Sequence, residues 1–86
     1  MGLDSVELLL DVETVFNVAI SNDDAAQVLT VDTLYGLILS KRSMTRDAPE
    51  AAAVWDRLQE LIADRAGVSK DVVVPSAQIT RDLGIN

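Results

Sequence analysis

The chain has 86 residues, 49% of them apolar, with seven Lys or Arg against fourteen Asp or Glu for a net charge of -7. That is the length of one domain with enough apolar material to build a core, which excludes a disordered chain. There is no cysteine and no histidine, which removes disulfides, thiolate metal sites, thiol nucleophiles and the commonest general base, so a stand-alone enzyme is not expected.

Along the chain, Val6, Leu9, Leu10 and Phe16 recur at helical spacing and predict a first helix from about Asp4 to Phe16, with Glu13 facing out. Asp4 and Glu7, three residues apart, have the form of a capping box. Asn17–Ile20 reads as a loop that buries Val18 and Ile20. Ser21 with Asp24 repeats the capping signal, so a short helix is expected at about Asn22–Val28. Thr30 then caps a helix whose inner face is Val31, Leu34, Tyr35, Ile38 and Leu39, with Asp32 in its first turn and Lys41 and Arg42 at its end, as the helix dipole favours.

Ser40–Asp47 is polar, lacks periodic apolar residues and reads as a linker. Asp47-Ala48-Pro49-Glu50 signals a helix start with Asp47 as cap. Ala51, Val54, Trp55, Leu58, Leu61 and Ile62 form its apolar stripe, and Gly67 ends it. Val72-Val73-Val74-Pro75 has strand propensity but no partner strand, so it is expected to be an extended loop whose valines plug the bundle. Ile79 and Leu83 are expected to be buried, with Asp82-Leu83-Gly84 a turn. The predicted fold is all-α, a small bundle of three main helices and one short one in a single domain.

Charge divides the chain. Through Ser40 there are seven acids, Asp4, Glu7, Asp11, Glu13, Asp23, Asp24 and Asp32, and no Lys or Arg; from Lys41 onward seven bases meet seven acids. Such a first half repels nucleic acid and anionic lipid and attracts basic protein surfaces; a solvated acidic face that only confers solubility is the plainer reading. No apolar run approaches the about 18–20 residues of a membrane span. No basic region precedes an apolar stretch at the N-terminus, so the default expectation is a cytoplasmic location.

The segment Val6-Glu7-Leu8 through Phe16, then Val18 and Ile20, Asp23-Asp24-Ala25, Thr30-Val31 and Leu34–Ile38 resembles the second half of acyl carrier proteins, without a gap. Val54 to Asn86 resembles the first helix and long loop of the same family, through Leu61-Ile62, Gly67-Val68, Asp71-Val72, Ile79 and Asp82-Leu83-Gly84. In the family that part comes first, so the resemblance implies an acyl carrier protein-like bundle in circularly permuted order. The two halves close through the 40–47 linker within one chain, or between two chains as a swapped homodimer.

The resemblance also implies a site. Acyl carrier proteins hold 4′-phosphopantetheine on the serine of a D-S-L motif, and the arm supplies the chemistry. This chain has Gly2-Leu3-Asp4-Ser5, but aligned on the V-E-L helix the family serine falls on Gly2 and its preceding Asp on Asn86. Ser5, one turn further on, is the candidate attachment residue. The alternative is an unmodified interaction module that keeps the fold without a cargo. Asp4, Glu7, Asp11 and Glu13 are the candidate partner-binding acids. The partners implied are basic surfaces of acyl-processing enzymes of fatty acid, lipid or polyketide biosynthesis, or of a phosphopantetheinyl transferase. An apolar seam of Leu9, Val15, Leu34, Ile38, Leu58 and Ile62 would shelter an acyl chain.

Overall fold

A computed structural model of the chain describes residues 5–85. Four α-helices follow one another: α1 (Ser5–Phe16), α2 (Asn22–Ala26), α3 (Val31–Lys41) and α4 (Pro49–Ala66), with one 3₁₀ turn at Lys70–Val72. The local signals account for most of their ends. Ser21 Oγ accepts the Asp24 N–H and Asp24 Oδ2 accepts the Ser21 N–H, both at 3.1 Å, which closes the capping box of α2. Thr30 and Thr33 cap α3 reciprocally in the same way. Gly67, at φ 69°, turns the chain out of α4 in the left-handed region and donates its N–H to Ala63 O.

The differences have local causes. The helix α2 stops at Ala26, because the Gln27 and Val28 N–H groups tighten onto the Asp24 and Ala25 carbonyls. Asp47 is not the cap of α4: that position is Ala48, with no side-chain bond, and Pro49 starts the helix with its fixed φ and missing N–H. Ser40 and Lys41 belong to α3, so the connection is 42–48 and not 40–47. It is anchored by half-buried Met44, which packs against the core.

On α1 the buried residues are Leu8, Val12 and Phe16. Val6 and Leu10, expected inside, are 64% and 55% exposed. The VELLLDV run offers two apolar stripes, and the tertiary structure selects the one that Leu8 and Val12 share with Phe16 at four-residue steps. The stripe of α4 behaves as read: Ala51, Val54, Leu58 and Ile62 are buried, and half-buried Trp55 and Leu61 flank them. On α3, Val31, Leu34, Ile38 and Leu39 are buried.

Helix α4 packs on α1 and α3 of the same chain. The long loop after Gly67 then runs beside the segment between α2 and α3. The N–H groups of Val31 and Asp32 donate to the Ala77 and Pro75 carbonyls, and the Ile79 N–H to Leu29 O. Of the three consecutive valines only Val73 is buried, while Val72 and Val74 are exposed. Lys70–Val72 is a 3₁₀ turn, and Gln59 Nε2 donates to the Lys70 and Val73 carbonyls, fixing which valine points inward. Ala77, Ile79, Leu83 and Ile85 complete the core. Among the described residues no helix is long and apolar enough to cross a membrane.

Candidate functional site

Ser5 opens α1 and is half-buried. It lines a small pocket with Leu8, Leu9, Ala25, Val28, Ile79 and Thr80. Four parts of the chain therefore converge there: the start of α1, α2, the segment between α2 and α3, and the turn at Ile79 and Thr80. The Ser5 hydroxyl makes no hydrogen bond to a described residue. The pocket volume is about 40 Å³. A dry apolar cavity of about 150 Å³ admits benzene, so this one takes a methyl group or a water but no acyl chain unless α1 and α2 separate.

The expected seam is filled. Leu34, Ile38, Leu58 and Ile62 have no exposed surface and form the centre of the core. Val15 instead borders a surface depression with Arg57, Glu60, Leu61 and Asp64. The core needs these side chains in mutual contact to reach the density of a protein interior.

The four candidate acids separate into different roles. Asp4 lies outside the described residues, as do Gly2 and Asn86. Glu7 is exposed on α1. Asp11 is engaged within the fold: its Oδ2 accepts Arg65 Nε of α4 at 2.7 Å. Glu13, expected to face out, is half-buried, and its Oε2 accepts the Ile20 N–H at 2.9 Å, tying the loop after α1 back onto the helix. Of the described three, Glu7 is exposed while Asp11 and Glu13 are half-buried.

The charge division of the sequence is partly cancelled in space. Lys41 reaches Asp24 at 2.7 Å, Arg46 reaches Asp32 at 2.8 Å and Arg65 reaches Asp11, each a base from beyond Ser40 on an acid before it. Arg42 Nη1 donates to the Phe16 carbonyl at 2.7 Å, closing the C-terminal end of α1. The Lys41 ammonium, with help from Ser21, holds the Asp24 carboxyl below the ordinary carboxylate range. Asp11 raises the Arg65 guanidinium, and Asp56, opposed by some desolvation and assisted by Glu60, raises the Lys70 ammonium.

Sequence reasoning missed the apolar outer face of α1. Val6 and Leu10 stand one turn apart and, with Leu9, Glu13, Ile20, Ser21, Asn22 and Ala25, line an open groove of about 150 Å³. The signal was present, since an amphipathic helix with five apolar residues in seven cannot bury them all. Among the described residues no group of three or more carboxylates is placed to hold a metal ion. Comparison with protein-family models, curated proteins and solved structures returns no match to this chain.

Proposed function

We propose that the chain is an acyl carrier protein-like domain in permuted order, which meets basic enzyme surfaces through the exposed side of α1 and carries 4′-phosphopantetheine on Ser5. The observation that supports it is the shared pocket of Ser5, Ile79 and Thr80. The permuted order requires the turn around Ile79 and Thr80 to abut the start of α1, and the shared lining of this pocket agrees with it. The packing of α4 against α1 and α3 within one chain agrees with the same order and needs no exchange of halves.

On this reading the docking face is Glu7 with the Val6 and Leu10 side chains beside it. Asp11 and Glu13 act within the fold and set the angle at which α1 is presented. The reading is tested by intact mass after co-expression with a broad-specificity phosphopantetheinyl transferase. A gain of one phosphopantetheinyl group, lost in Ser5→Ala, is the expected result. No gain, under conditions that load an ordinary carrier protein, rejects it. Capture of the transferase should also weaken at high salt and in Glu7→Lys, since an electrostatic encounter between exposed groups is screened.

The second reading, an unmodified interaction module of the same fold, draws support from the setting of Ser5. A transferase must reach the hydroxyl, and here it is half-buried over a pocket of about 40 Å³. Partner capture that persists without any mass gain selects this reading.

A further inference from the structure

One face of α3 receives a guanidinium. Asp32, Tyr35 and Gly36 stand at the i, i+3 and i+4 positions that make neighbours on a helix. Arg46 Nη1 donates to Asp32 Oδ1 at 2.8 Å and Nη2 lies 3.4 Å from Oδ2, a two-pronged contact. The Arg46 Cζ lies 5.2 Å from the centre of the Tyr35 ring. Its Nη2 is 3.0 Å from where a Cβ on residue 36 would stand, so the absence of a side chain at Gly36 makes the room it occupies. The receiving side is held from behind. The Tyr35 hydroxyl donates to the Ala51 carbonyl at 2.9 Å, and Trp55 meets the Tyr35 ring edge-on at 5.3 Å between centres.

The guanidinium itself is carried differently. It sits on the 42–48 connection, in turns at the surface, and the ion pair is about half exposed, 54% for Arg46 and 46% for Asp32. Exposed pairs of this kind contribute little net stability, so the arm is held near balance. We infer that Asp32, Tyr35 and Gly36 form a guanidinium-binding site whose resident ligand is the chain's own Arg46, and that an arginine side chain of a docking protein takes the same seat when Arg46 leaves it. Arginine fits better than lysine. The two prongs match a carboxylate and Nη2 passes over Gly36, which an ammonium does not reproduce, although it too is drawn to the carboxylate and to the ring. The net charge of -7 draws cationic partners toward the molecule in general. The site stands apart from Ser5 and does not rest on the carrier reading.

The test is titration of Arg46→Ala with methylguanidinium, followed by Trp55 fluorescence and by the NMR shifts of the Tyr35 and Trp55 rings, with far-ultraviolet circular dichroism to check folding. The expected response is saturable. It is at least about twofold weaker in the wild type, as for a seat its own arm fills half the time or more. It disappears when Asp32→Asn is added and is weaker with methylammonium. Arg46→Lys, whose ammonium holds the seat less firmly than a guanidinium, should bind methylguanidinium more tightly than the wild type, and it carries the test if the alanine variant does not fold. A response that fails to saturate, that is equal in the wild type, that survives Asp32→Asn, or that methylammonium matches overturns the proposal.

Discussion

Arg65 of α4 closes its Nε on the Asp11 carboxylate of α1 at 2.7 Å, joining residues 54 positions apart. The pair spans the contact between the helix at the start of the chain and the one that packs across it. Asp11, a docking candidate by its place in a base-free stretch, thus also has a partner within the fold. Both groups are substantially exposed, so the pair is weak and open to screening. Asp11→Asn should lower the melting temperature slightly at low salt, and the difference from wild type should close by about 1 M salt, where the Debye length falls to about 3 Å. Capture of a basic partner should be the same in Asp11→Asn and wild type. A variant that melts like wild type at low salt but binds a partner less well would return Asp11 to the docking face.

The register of α1 is tested by truncating one residue from each stripe. Leu8 is 1% exposed at the centre of the core, and Leu8→Ala should cost about 2–5 kcal/mol, transfer and cavity together. Val6 is 64% exposed, and Val6→Ala should stay within about 0.5 kcal/mol, as surface changes do. Urea denaturation of the two variants gives the comparison. Equal losses would mean that α1 is rotated from the orientation described.

These residues mark where the sequence was readable. The caps at Ser21, Thr30 and Gly67 and the inner stripe of α4 were legible, because each depends on groups within about one helical turn or on a single apolar face. The inner face of α1 was not, since five apolar residues between Val6 and Val12 support two stripes and only packing against α4 and the rest of the core decides between them. Asp11 and Glu13 looked like free surface acids because their partners, Arg65 and the Ile20 N–H, are supplied by the fold. The valines at 72–74 were misread for a related reason. Gln59, on another element, bonds the backbone on either side and turns Val73 alone inward.

Acid should act on the α2–α3 junction through Asp24. Its folded pKa is lowered below the unfolded value, first by the hydrogen bond from Lys41 and then by the Ser21 backbone and hydroxyl. A depressed carboxyl contributes stability that is present in full above its unfolded pKa and is lost as pH falls through its folded pKa. Asp24→Asn should therefore melt below wild type at pH 7, and the gap should shrink as pH falls from the unfolded carboxyl range through the lowered folded pKa. Melting curves for the pair across that range give the result. A gap that stays constant with pH would assign the effect to the capping geometry, since the asparagine oxygen retains part of it, and not to the charge.

Gly36 poses a contest of signs within α3. Replacing a helical glycine by alanine removes unfolded-state freedom and favours the helix by up to about 1 kcal/mol. Against that, the added Cβ would stand 3.0 Å from Arg46 Nη2, the far end of a flexible side chain that can yield by a few tenths of an ångström. The propensity gain should win, so Gly36→Ala is expected to raise stability in the wild type, and to raise it more in Arg46→Ala, where nothing has to move. The four proteins of this double-mutant cycle, compared by urea denaturation, isolate the Gly36–Arg46 term. A gain of the same size in both backgrounds would mean that Arg46 spends little time in its seat over Gly36. A loss in the wild type alone would mean that the guanidinium is held there more firmly than an exposed ion pair accounts for.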